Sequence, residues 1–203
     1  MRRVIVILGA FLLAACVGTP PRPVEIVRHD LGDPGGDWPV TGVAISRVDV
    51  HVAAWLDTAA QLYRLSYADP LTRHSYAENR WVAPPGDLLE RWLQRRILSG
   101  QNMDAGPGCR LIMWLDELEQ RFDSPRASQV VLEARASLQP LRGDTVLAQQ
   151  AFHIVKTAGS PDARGGVQAT RAGADALAQE LARWLGDVAQ TRPQTVAICK
   201  EKK

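Results

Sequence analysis

Chemistry in a protein chain needs nucleophiles, proton carriers or metal ligands held close together. In this 203-residue sequence the candidates are three cysteines, four histidines and one run of carboxylates. His29, His51, His74 and His153 are far apart, with no HExxH-type spacing that would seat two imidazoles on one helix face. No G-x-S-x-G turn offers a serine nucleophile. Asp116, Glu117, Glu119 and Asp123 crowd one strand end. Paired carboxylates can share acid–base work, but Glu117 and Glu119 fall on one face near a turn, which reads as a solvated strand end. Asp116 falls between Trp114 and Leu118 on its face; if buried there it needs a partner, an arginine for preference. Cys109 and Cys199 are distant, with no third ligand beside them, so no metal site is expected. No catalytic constellation emerges, and the chain is expected not to be an enzyme.

The remaining cysteine, Cys16, has a different context. Arg2 and Arg3 open the chain, and Val4 to Leu13 is uncharged, too short to span a bilayer and suited to a signal-peptide core. Leu13-Ala14-Ala15-Cys16 resembles the bacterial lipobox. That resemblance implies removal of residues 1–15 and acylation of Cys16, with palmitate-type chains, as an anchor. Val17, rather than Asp, after the cysteine points to the periplasmic face of the outer membrane. Residues 16–23 hold Gly18, Pro20, Pro21 and Pro23 and suit a stiff tether. Residues 24–190 form one domain, and 191–203 a tail. The formal charge of +2 vanishes with Arg2 and Arg3, so the mature chain carries no nucleic-acid signature. In an oxidising compartment Cys109 and Cys199 form an even pair, either bridged across a long loop or buried as free thiols. The bridge is the expectation.

The elements that must position these residues follow from periodicity. Val24 to Leu31 is strand-like, and Gly32 to Pro39 is loop. Val43 to Val52 alternates as a strand, as do Tyr63 to Tyr67 and the stretch from His74 to Trp81. Pro84-Pro85-Gly86 precedes a helix with Asp87 and Glu90 at capping-box spacing and Leu89, Trp92, Leu93 and Ile97 on one face. Cys109 to Phe122 is apolar on both faces, so helices or a partner subunit should cover both. Ser128 to Leu138 and Thr145 to Val155 form a hairpin pair around Arg142-Gly143-Asp144. Thr157 to Gly166 reads as loop. Ala174, Leu177, Ala178, Leu181, Trp184, Leu185 and Val188 make a final helical stripe, and Thr191 to Lys203 is tail. The fold class is α/β: a single domain with a mixed, largely antiparallel sheet and two main amphipathic helices. Trp92, Trp114 and Trp184 lie on apolar stripes. Trp38, Trp55 and Trp81 lie in or beside loops, where exposed aromatics can anchor a partner; for Trp81, core packing is the alternative.

Residues 63–97 read YRLSYADPLTRHSYAENRWVAPPGDLLERWLQRRI. Tyr63-Arg64, then Tyr76, Arg80-Trp81, Pro84-Pro85 and Leu88-Leu89 are similar to the corresponding features of the PqiC-like ABC-type transport auxiliary lipoproteins. The likeness continues through Arg121-Phe122 to the last helix and covers about residues 24–188. The corner here is Trp81-Val82-Ala83-Pro84-Pro85, not the Trp-Ala-Glu-Pro form of some members. The resemblance implies a non-enzymatic auxiliary of an MCE-type ABC lipid transport system running between inner and outer membranes. Its partners would be an MCE-domain (MlaD-like) protein and its ABC transporter, with possible homo-oligomers and no cofactor. Tyr76, Arg80 and Trp81 are the expected partner-binding residues. Two further readings stand beside it: a lipid-binding carrier with its own pocket, and an assembly lipoprotein of a secretion or surface-polymer machine.

Overall fold

The computed structural model describes residues 24–200 except 37, 40 and 100–107. Cys16, the signal segment, the tether and residues 201–203 therefore lie outside the described residues. Within them the elements are strands β1 (Val27–His29), β2 (Ile45–Val52), β3 (Ala60–Leu65) and β4 (Arg73–Trp81), helix α1 (Pro85–Ser99), strands β5 (Cys109–Ser124), β6 (Ala127–Pro140) and β7 (Ala148–Thr157), and helices α2 (Ala163–Thr191) and α3 (Pro193–Lys200).

β5 is the axis of the sheet. β6 runs antiparallel along one edge and β7 follows β6, also antiparallel. The other edge of β5 is divided: β2 lies parallel along Cys109–Leu115 and β3 parallel along Gln120–Phe122. β4 pairs antiparallel with β3, and β1 parallel with β4. The result is the mixed, largely antiparallel sheet expected, since its two long ladders are antiparallel.

A bulge interrupts β5. Leu115 faces Ala134 and Glu117 faces Glu133, so Asp116 has no opposite number. One extra residue flips the alternation. Leu111, Met113 and Leu115 face the helices before it; Leu118, Gln120 and Phe122 do so after it. Asp116 is therefore not flanked on its own face by Trp114 and Leu118. It lies half-buried at the bulge, in a paired bond to Arg135 (2.7 and 2.8 Å).

The helices cover one face of the sheet, not both. α1 buries Leu89, Trp92, Leu93 and Ile97 as the spacing predicts. Its expected capping box does not form. Glu90 instead accepts from the Val50 backbone N–H (2.8 Å), and Gln94 donates to the Val48 carbonyl (2.9 Å). Those side chains occupy the outer edge of β2, which would otherwise present unpaired backbone groups. On the uncovered face of β5, Ile112 and Glu119 are buried by neighbouring side chains rather than by a further layer.

α2 begins about three turns before Ala174, inside the expected loop. Asp162 caps it, accepting from the Gly165 N–H at 2.7 Å. The two glycines that read as loop sit in its first turns because the helix meets the sheet there: a Cβ on Gly166 would come within 2.1 Å of Gln120 Oε1. The expected tail also folds. α3 brings Cys199 to Cys109, and the two form a disulfide with Cα atoms 4.9 Å apart. Closing a loop of this length restrains the unfolded chain by about 4 kcal/mol in the chain-entropy picture.

Candidate interaction face

Beyond the bulge, alternation places Glu117, Glu119 and Arg121 on the face without helices, next to Arg64 of β3 and Arg73 of β4. Glu119 is fully buried and saturated. Arg64 donates through Nε (2.8 Å) and Nη2 (3.2 Å), Arg121 through Nε (2.8 Å), and Arg73 Nε lies at 3.1 Å. Glu117 takes Arg73 Nη2 at 2.9 Å, with Arg121 at 3.6 Å. The expected solvated carboxylate end is instead a compact ion cluster of two acids and three guanidinium groups, because β3 and β4 bring in arginines that lie 44 to 57 residues away in sequence.

Its electrostatics divide the two acids. Burial pushes the Glu119 carboxyl up, but the hydrogen bonds from Arg64 and Arg121 outweigh it and leave it below the ordinary value. Glu117 is pushed above the ordinary value by burial and then by the charge of Glu119, against the pull of Arg73 and Arg121. Every Glu119 acceptor direction is engaged, so Glu119 ties β3, β4 and β5 together. Trp55, 41% exposed, lies under the cluster with the Arg73 guanidinium 3.5 Å from its ring centre.

On the helix-covered side the same strands hold an aromatic stack. Tyr63 packs against His74 (5.2 Å), Tyr76 (4.6 Å) and Phe122 (5.9 Å between ring centres). The Tyr76 hydroxyl donates to Gln120 Oε1 at 3.0 Å. Gln120 in turn donates to Ser128 Oγ (2.8 Å) and to the Asp162 carbonyl (3.1 Å) at the start of α2. Burial raises the Tyr76 phenol well above its usual range, which keeps it neutral.

The three residues expected at a partner surface are therefore separated. Tyr76 is half-buried in the stack, Arg80 is exposed, and Trp81 is 5% exposed in the core. Trp38 is also core, so of the three loop tryptophans only Trp55 faces outward. Trp114 lies on the open face, with His51 at 5.9 Å. The Arg–Glu cluster went unseen in the sequence because its signal, one arginine on the polar side of each of two paired strands, acquires meaning only with the register. Among the described residues no group of His, Cys, Asp and Glu could hold a metal ion, and no helix is long and apolar enough to cross a membrane.

Comparison with known proteins places this architecture. A crystal structure of a Xanthomonas campestris protein of the DUF330 family superposes with a TM-score of 0.65 at 19% identity, covering 84% of this chain and 98% of that one. A crystal structure of an uncharacterized protein gives 0.53 at 14% identity, covering 74% and 96%. These likenesses establish the fold. No curated protein matches the chain. A family model, the ABC-type transport auxiliary lipoprotein component, matches residues 39–182, from the end of the N-terminal loop to deep in α2, and the chain belongs to that family.

Proposed function

We propose that this protein is acylated on Cys16, resides on the periplasmic face of the outer membrane and acts without catalysis. In this reading it is an auxiliary of an MCE-type ABC lipid transport system, docking an MCE-domain (MlaD-like) protein. The observation that carries the reading is the family match across residues 39–182, joined to Leu13-Ala14-Ala15-Cys16 at the chain start. The geometry agrees with docking. Glu117 and Glu119 are engaged by arginines, and the open face offers Trp55, Trp114, Arg135 and His153. Between Leu31, Trp81, Leu88 and Leu118 an apolar cavity of about 10 Å³ has room for roughly one water. A tethered domain of this kind gains its partner mainly through raised local concentration.

The test is affinity purification of the lipidated full-length chain from gently solubilised envelope, with protein and lipid mass spectrometry on one eluate. An MCE-domain protein in stoichiometric amount is expected. Stoichiometric phospholipid without such a partner would overturn docking in favour of a carrier, and a secretion component would overturn it in favour of an assembly role.

A further inference from the structure

We propose that the loop between β3 and β4, residues 66–72, is a second, non-covalent membrane contact that sets the orientation of the domain on the bilayer. The inference rests on the reading of Cys16 as the lipid anchor.

Three observations carry it. Leu71 is 91% exposed, the most exposed of the large apolar side chains among the described residues, and Tyr67 in the same loop is 47% exposed. Single exposed leucines are ordinary, so placement matters. β1 runs parallel to β4 with Val27 opposite Asn79, six residues past Arg73, where β4 begins. The chain upstream of Val27 therefore points toward the 66–72 loop, about 20 Å away at ~3.3 Å per residue. Cys16 precedes Val27 by eleven residues, and eleven residues of chain can reach about 35 Å. An anchor on Cys16 can thus bring this end of the sheet to the lipid without turning back.

The third observation is the state of the loop backbone. A loop that enters a lipid interface must satisfy its own polar groups. Here the Ala68 and Asp69 N–H groups donate to the Leu65 carbonyl (2.9 and 2.8 Å). Asp69 accepts from the Leu71 N–H at 3.1 Å and from the Thr72 hydroxyl. Arg64 Nη1 donates to the Pro70 carbonyl at 2.7 Å. The tip is internally bonded, and Leu71 faces outward. The same arginine that saturates Glu119 fixes this tip, so the buried cluster positions the loop. The opposite end of the sheet carries Leu141 and Val146, 42% and 50% exposed, but the tether would have to reverse to place that end on the bilayer.

The experiment uses the full-length lipidated protein in phosphatidylethanolamine–phosphatidylglycerol vesicles. Leu71→Cys and, as the opposite-end control, Val146→Cys each carry an environment-sensitive fluorophore; Cys109 and Cys199 are bridged and do not react. Flotation reads the anchor. The label at 71 is expected to lose several-fold in quenching by aqueous iodide and to be quenched by acyl-chain spin labels, with the label at 146 unchanged. Floating protein with both labels open to iodide, or with 146 as the shielded site, overturns the orientation and leaves the anchor intact. Protein that does not float overturns the anchor and the orientation together.

Discussion

The two halves of β5 are held by different forces. From Cys109 to Leu115 the strand is clamped by apolar burial between β2, β6 and the helices, and its first residue is bonded covalently to α3. From Glu117 onward it is held by charge: Glu119, without a solvent-exposed atom in its side chain, gathers three arginines from two other strands and its own. The bulge at Asp116 separates the regimes, where β5 exchanges β2 for β3 as its neighbour. Apolar burial is insensitive to pH and salt, so the ionic half is the one expected to make the loop end of the sheet depend on both. A buried ion cluster is weak evidence for stability, since desolvation offsets most of its attraction. Here it links β3, β4 and β5 across the face without helices.

The sharpest way to break the comparison is to remove the covalent clamp. Replacing both cysteines, Cys109→Ser with Cys199→Ser, is expected to cost about 2–5 kcal/mol. Chemical denaturation would read it, and amide exchange would show α3 losing protection before β5 does. Loss confined to α3 with unchanged global stability would mean the clamp holds only the tail.

Next in size, Glu119→Gln leaves Arg64, Arg73 and Arg121 without their shared charge. Breaking one member of a buried ion group costs about 3–5 kcal/mol, reduced here because Gln retains an acceptor. Exchange should rise across β3, β4 and the 66–72 loop while the Cys109–Leu115 half stays protected. An equal rise in both halves would erase the distinction between them.

The pH dependence sharpens it further, and the two acids pull in opposite directions. Glu119 titrates below its unfolded value, so its contribution is present above that value and is lost as pH falls through the lower, folded one. Glu117 titrates above its unfolded value, so its contribution is present in acid and is lost as pH rises through the folded value. Glu117→Gln should therefore gain stability relative to the parent as pH rises above the ordinary glutamate value. Parallel stability–pH curves for the two proteins would remove Glu117 from the account.

The smallest effect belongs to the divide itself. Asp116 is half-buried but its partner Arg135 is exposed, so Asp116→Asn is expected to fold normally and to lose little stability. A larger loss by thermal melting would make the bulge, rather than the flanking halves, the structural determinant.

Much of the fold was legible because it is written in short-range patterns. Val48, Val50 and Val52 alternate, Leu89, Trp92, Leu93 and Ile97 repeat at helical spacing, and both patterns appear as strand and helix. Gly165 and Gly166 misled because glycine usually marks a loop, whereas here it allows α2 to lie close to Gln120. Glu90 misled because capping-box spacing is local, while its partner, the Val50 N–H, lies forty residues earlier. Of the residues offered as a partner surface, Trp81 went to the core because Leu31, Leu88 and Leu118 converge on it from separate elements.

By itself, the sequence determined the mixed sheet, the two amphipathic helices, the likeness to transport auxiliary lipoproteins and the even cysteine pair, because periodicity, composition and motif order are properties of neighbouring residues. Only the tertiary structure decided that Cys109 meets Cys199, that Asp116 is a bulge, and that Glu119 is buried among three arginines. The disulfide depends on where α3 packs and the other two on strand register, and both are set by contacts between residues far apart in the chain, whose energies no local pattern records.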